Sequence, residues 1–203
     1  MVLSVETSYQ NALNKREVIL RAARQCFVQH GFHATGMAEI CSAAGMSAGN
    51  LYRYFQNKAA IVRAIADETR ARIVPVYERL QTHQNPVEAI VQIILHSLQE
   101  FCRGTDSRLW LEVLAEASRN DEMRELYISF DHEIRESLKK LLRRAVKGDG
   151  RTPGIDIEAA SVWLIALLDG AIARVSIDPH VDLEKIMGTL AASIRRCLKV
   201  QQA

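Results

Sequence analysis

The chain is punctuated most tightly between Thr35 and Lys58, TGMAEICSAAGMSAGNLYRYFQNK, where helix-forming pieces are cut short by breakers. Residues 37–44 make one short helix, and Gly45 breaks it. Ser47 is placed to cap the next piece, and residues 48–55 form a compact helix with a polar, aromatic face. Asn57 then caps a further helix that opens with Lys58. Two short helices across a tight turn, followed at once by a third, leave little freedom in how this part of the chain folds.

The rest of the sequence predicts an all-α protein. No segment alternates apolar and polar residues between turns, while helical spacing recurs throughout. Ile19, Ala23 and Phe27 lie four apart with Leu20 and Val28 alongside, which predicts a helix over 15–30 that Gly31 ends. In the short helices Ile40, Ala44, Leu51 and Phe55 point inward and Met46 plugs the turn. A long helix is expected over 58–80, with Pro75 kinking or ending it. Further helices are expected over 87–103, 109–118 and 122–147, with breaks at 104–107 and 120–121 and a loop at 148–154, GDGRTPG. Two helices close the chain, 155–177 and 183–200, joined by DPHVD. The first is apolar around much of its circumference and must be buried on more than one side.

Composition narrows the function classes. There are 203 residues, 48% of them hydrophobic, enough for a substantial core and one or two domains. The start of the chain lacks a basic stretch followed by an apolar core, so it does not read as a secretory signal, and no long uncharged apolar run predicts a membrane span. A cytoplasmic location is the expectation. Cys26, Cys41, Cys102 and Cys197 form no CxxC pair, so neither a metal nor a cofactor is expected, and they read as reduced thiols. No nucleophile elbow, phosphate loop, HExxH or paired-carboxylate motif is present, which argues against an enzyme. Charge is uneven: residues 1–65 hold seven Lys and Arg against three acids, although the whole chain is only +2. A basic head on a slightly acidic body suits a nucleic-acid partner.

A helix, a glycine turn and a second helix bearing Asn, Tyr and Arg is the layout of a helix-turn-helix DNA reader. Ala48 and Gly49 are small, so the start of the reading helix can approach the duplex closely. Asn50 can bond a base edge, and Arg53 a guanine edge or a phosphate. Tyr52 and Tyr54 can reach phosphates with their hydroxyls and pack against sugars or thymine methyls. Lys58 stands in the first turn of the next helix, where ammonium and helix terminus both favour a phosphate. Thr35 and Ser47 can contact phosphates, cap helices, or both.

Residues 15–65 closely resemble the N-terminal domain of the TetR family of transcriptional regulators. The elements that carry the likeness are AA, F, GF, T, I, AGMS.G.LY.YF and K at fixed spacings. The resemblance implies DNA contacts from Ala48, Gly49, Asn50, Tyr52, Arg53, Tyr54 and Lys58. Gly36-Met37-Ala38 departs from the family, where a Thr or Ser and then a polar or basic residue are common. The expected organisation is an N-terminal tail at 1–14, a helix-turn-helix DNA-binding domain at 15–60, and a helical ligand-binding and dimerisation domain at 61–203.

The resemblance further implies a repressor that a small-molecule effector releases from a double-stranded operator, near-palindromic because the protein is a homodimer. Candidate pocket residues are Phe101, Trp110, Leu114, Glu116, Met123, Tyr127, Phe130 and Trp163. Ala159, Trp163, Ala166, Gly170, Leu190 and Ile194 are the candidate dimer interface, the small residues permitting close helix approach. The alternatives are a DNA-binding helical dimer without a ligand and, more remotely, an all-α enzyme.

Overall fold

The computed structural model describes residues 2–102, 106–149 and 156–199. Nine helices occupy the described residues, without a strand: α1 Val2–Ala34, α2 Met37–Ala43, α3 Ala48–Tyr52, α4 Lys58–Leu80, α5 Pro86–Phe101, α6 Asp106–Ala117, α7 Asp121–Asp149, α8 Ile157–Ile177 and α9 Leu183–Lys199. Most ends fall within a few residues of where caps and breakers put them. Asn85 accepts the Glu88 N–H with Pro86 at the first helical position. Asp156 accepts the N–H groups of Glu158 and Ala159. Helix α4 runs through Pro75 to Leu80 rather than stopping at the proline. The expected tail 1–14 is helical from Val2 onward, since neither Gly nor Pro interrupts α1 before Gly31. Of the expected breaks, residues 103–105 and 150–154 lie outside the described residues, and α7 itself continues to Asp149.

The chain divides into two compact units. The first contains residues 1–68 together with 108–126, and the second residues 69–107 together with 127–203. This differs from the continuous boundary at residue 60. Helix α6 and the first turn of α7 pack with the N-terminal helices because Leu109, Val113, Met123 and Leu126 join the apolar cluster of Ile19, Phe27, Ile40, Leu51 and Ile61. The chain therefore passes between the units at three places.

In the second unit α5 is the central element. Val87, Ala89, Ile90, Val91, Ile93, Ile94, Leu98 and Phe101 are all buried, and α8 and α9 pack against α5. Arg195 of α9 grips Glu88 of α5 through two N–H groups at 2.9 and 2.8 Å, a bidentate pair that fixes orientation as well as adding energy. Helix α7 is tied to α8 by Arg135 and Lys139, which both reach Glu158, at 3.2 and 2.6 Å.

Candidate nucleic-acid interface

The first unit builds its exposed face from the backbone outward. The regular part of α1 stops at Gly31, with φ 78° and ψ 160°, a region essentially reserved for glycine. Thr35 is buried, and its hydroxyl donates to Cys26 O at 3.1 Å and Gly31 O at 2.8 Å. Its side chain thus closes the end of α1; of the two roles expected for it, capping remains and a side-chain phosphate contact does not. After α2, Gly45 turns the chain at φ 63°, and Met46 N–H reaches back to Cys41 O at 3.0 Å. Ile40 and Cys41 point into the core.

Helix α3 is shorter than the expected 48–55. It ends at Tyr52 with Arg53 as its C-cap, and a last turn follows in which Tyr54 and Phe55 N–H groups both bond Leu51 O. Leu51 is fully buried and Phe55 nearly so, which pins this short helix from beneath. The opposite side faces solvent: Ser47, Ala48, Gly49, Tyr52 and Arg53 are exposed, and Asn50 and Tyr54 half-buried. Tyr52 is 51% exposed, an unusual setting for a large ring, and nothing among the described residues covers it. Ser47 takes the N-cap position through its backbone carbonyl, which accepts from Asn50 and Leu51, while its hydroxyl makes no capping bond. A Cβ at Gly49 would meet nothing within 4 Å, so internal packing does not demand glycine there.

Lys58 is more committed than its position in sequence suggests. Its Nζ donates to Phe32 O at 2.6 Å and His33 O at 3.2 Å and lies 4.6 Å from the centre of the Phe32 ring. It therefore ties the start of α4 to the end of α1, beside the surface where a phosphate contact was expected. Partial burial lowers its pKa from the ordinary 10.5, against the opposing pull of Glu116 and Glu39. Asn57 caps α4 as expected, accepting the Ala60 N–H at 2.8 Å. His30 on α1 contacts Glu39 on α2.

Two carboxylates from α6 reach the same junction, and no spacing in the sequence could have shown it. Glu112 Oε2 accepts the Phe32 N–H at 3.1 Å across 80 residues of chain. Glu116 is buried and is held by Arg119 at 2.7 Å and by the Asn120 amide at 3.2 Å. Burial raises its pKa, but the bonds from Arg119 and Asn120 outweigh that and bring it below the ordinary 4.5. Among the described residues no three His, Cys, Asp or Glu side chains gather as a metal site.

The candidate pocket residues do not form one set. Met123 is fully buried in the core of the first unit, where Trp110 packs alongside, and Glu116 belongs to the junction just described. Leu114 is half-buried on α6. In the second unit Phe101 and Phe130 meet edge to face at 6.1 Å. Tyr127 bonds Asp169, and burial together with that carboxylate and Asp131 pushes its phenol pKa up. Trp163 is half-buried on α8. A cleft of about 350 Å³ lies in the second unit between α4 and α7, lined by Ile73, Val74, Tyr77, Phe130 and Ile134, with Arg70 paired to Glu133 among its polar residues. Phe130 alone of the eight candidates lines it.

The candidate dimer residues divide more cleanly. Ala159, Ala166 and Gly170 are exposed on one face of α8, along with Val162 at 50% and Ile177 at 69%. Trp163 and Leu190 are half-buried. Ile194 is the exception. It is fully buried within its own chain, on the face that α9 turns inward, and has no surface to offer a partner. By length and composition α8 could cross a membrane. A helix packed in a protein core passes the same test.

Comparison with known proteins matches the chain to two family models. Residues 19–65 match "bacterial regulatory proteins, tetR family" and residues 86–199 match "BetI-type transcriptional repressor, C-terminal". The transcriptional repressor AcnR of Corynebacterium efficiens is 26% identical over 96% of this chain and 99% of its own length. GusR of Salmonella enterica has a solved structure that is 29% identical, with a TM-score of 0.76 over 94% of this chain and 96% of that one. SmeT, solved in complex with triclosan, is 25% identical with a TM-score of 0.77, covering 91% of each chain.

Proposed function

The chain belongs to the TetR family of transcriptional regulators, and from that premise we propose that it is a homodimeric repressor released from a near-palindromic operator by a small organic effector. That it is a DNA-binding regulator rather than an enzyme follows from the family. The observation that carries the reading is the short helix α3, whose underside is locked by Leu51 and Phe55 while Ser47, Ala48, Gly49, Tyr52 and Arg53 stand in solvent. Such a helix presents base-reading and phosphate-seeking groups without conformational search. Asn50 and Arg53 are the base readers of this account; Tyr52, Tyr54 and Ser47 set the register on the backbone, and Lys58, whose ammonium is held by Phe32 O and His33 O, adds its charge beside them.

The dimer is supported by the exposed apolar face of α8. Val162 and Ile177 alternate with Ala159, Ala166 and Gly170 along it, and a second copy of the helix would cover it at close range. Two-fold symmetry then makes the operator near-palindromic, with half-sites about one DNA turn or a multiple apart. The effector reading is supported by the cleft between α4 and α7, whose size lies within the range of small-molecule sites, and by the capture of triclosan by SmeT. A ligand there acts only through its differential affinity for DNA-bound and released forms. Sedimentation at micromolar concentration tests the dimer: a monomer contradicts it. A thermal-shift screen of metabolites and drugs, followed by operator release in a gel shift, tests the effector. A protein that binds its operator and is relieved by no compound supports the ligand-free alternative.

A further inference from the structure

Arg16 lies three residues before the stretch matched by the DNA-binding family model. It sits at the N-terminal end of the buried face of α1, with Ile19, Leu20, Ala23 and Phe27 three, four, seven and eleven residues on. Its stem therefore leaves the core rather than starting in solvent, and the residue is half-buried. The guanidinium stacks over the Phe55 ring, 5.5 Å from its centre. Phe55 is itself 5% exposed, and its N–H bonds Leu51 O at 3.0 Å, so the ring is fixed in the turn that follows α3, three residues beyond its last residue Tyr52. No carboxylate pairs with Arg16 among the described residues, in contrast to Arg24, which Glu68 neutralises at 2.8 Å.

We propose that Arg16 is a phosphate clamp, a guanidinium held by Phe55 in the turn after α3 that meets the DNA backbone flanking the groove the helix enters. The inference rests on the DNA-reading role of α3. The major groove is about 12 Å wide, so a helix lying in it has phosphates close to both of its sides. A charge stacked on the last ring of the reading element is placed beside that backbone, not over the base edges. Arginine matches a phosphate with two parallel N–H donors, and one already stacked loses less side-chain freedom on binding than one waving in solvent. Arg16 thus fixes register and adds affinity without reading sequence.

The test is the salt dependence of binding by Arg16→Met, which keeps an apolar stem against Phe55 and removes the charge. Two probes are used in fluorescence anisotropy: a random-sequence 30-base-pair duplex (~30, chosen to span more than two DNA turns), and a duplex that the wild-type protein recovers from a random pool. The expected result is a slope of log K against log salt that is shallower by about 0.9 per protomer. Taken from ~1 M down to ~0.1 M salt, that slope corresponds to an affinity loss of about eightfold per protomer. The loss is equal on both probes, and the melting temperature stays at the wild-type value. Arg16→Lys keeps most of the slope. Arg21→Met, five residues on and about 140° further round α1, leaves the slope unchanged. An Arg16→Met protein with wild-type slope overturns the inference, as does a loss confined to the selected duplex, which would make Arg16 a base reader. If Arg16→Met fails to fold, Arg16→Gln is measured in its place against the same expected slope. A wild-type protein that binds neither probe overturns both this inference and the DNA reading beneath it.

Discussion

Replacing Gly31 with alanine tests the junction that joins α1, α4 and α6. The backbone there has φ 78° and ψ 160°, a conformation that costs an L-residue about 1–3 kcal/mol. The new Cβ would also stand 3.1 Å from Glu112 Oε2. That oxygen accepts the Phe32 N–H, and losing a hydrogen bond to a charged acceptor costs about 1.5–3 kcal/mol. The two effects overlap, because a strained turn that shifts also moves Phe32, so the expected total is about 2–4 kcal/mol. For a chain of this size that is a fall in melting temperature of roughly 4–16 °C. The assay is calorimetry or circular dichroism at one fixed protein concentration, since dimerisation makes the midpoint concentration-dependent. Glu112→Ala alone should be destabilising, and the Gly31→Ala/Glu112→Ala double variant should lose less than the sum of the single changes. A Gly31→Ala protein that melts within about 1 °C of wild type refutes the reasoning. Strict additivity in the double variant refutes the contact with Glu112 while leaving the backbone argument intact.

Other substitutions separate folding from assembly and recognition. Gly188 and Gly170 both sit mid-helix where a Cβ would meet nothing within 4 Å, so alanine at either should favour its helix by about 1 kcal/mol. Gly188→Ala should raise the melting temperature, whereas Gly170→Ala should weaken the dimer in sedimentation; equal dimer constants would remove Gly170 from the interface. Ile194→Ala should cost about 2–5 kcal/mol as a core cavity in denaturant unfolding, with no dimer-specific loss once the reduced stability is allowed for. The lowered pKa of Glu116 gives stability that is complete above its ordinary value of 4.5 and is lost as pH falls through its folded value. Glu116→Gln should therefore lose less stability than wild type between neutral pH and about pH 3; an unchanged acid limb would contradict the buried Arg119–Glu116 pairing. Tyr52→Ala should weaken binding to every duplex, while Asn50→Ala and Arg53→Ala should also relax sequence preference by about 1–3 kcal/mol per contacted base pair in competition gel shifts.

The helices were legible because their signals are local. Asn57 caps where short-range pattern places it, and Gly31 and Gly45 adopt the positive φ that their breaker role requires; Asn85 and Asp156 are caps that the structure adds, within two residues of the expected starts of their helices. Part of the exposed side of α3 follows from the same logic: once Leu51 is assigned inward, helical geometry turns Tyr52 and Arg53 away from it, whereas Ser47 and Ala48 share its face by spacing and stand in solvent because they begin the helix. What pattern could not supply is the partner across a long stretch of chain. Thr35 looks like a surface hydroxyl, yet it bonds the carbonyl four residues back, a habit of Ser and Thr that sequence can only offer as an option. Lys58 gives no sign that two carbonyls of α1 await it, nor Glu112 that it will meet a backbone N–H 80 residues away. Helix α6 was assigned to the body by its place in the chain, whereas Leu109 and Val113 bury it in the N-terminal unit. Ile194 and Leu190 look alike in an amphipathic pattern, and only the packing of α9 on α5 separates the buried residue from the half-buried one.

The central claim is that the solvent-facing side of α3 reads DNA, and selection from a random duplex pool tests it most directly. The wild-type protein should enrich a near-palindromic sequence whose half-sites lie about one DNA turn or a multiple apart, and the Asn50→Ala/Tyr52→Ala/Arg53→Ala protein, folded by circular dichroism, should enrich none. Recovery of the same sequence by the triple variant would contradict the account.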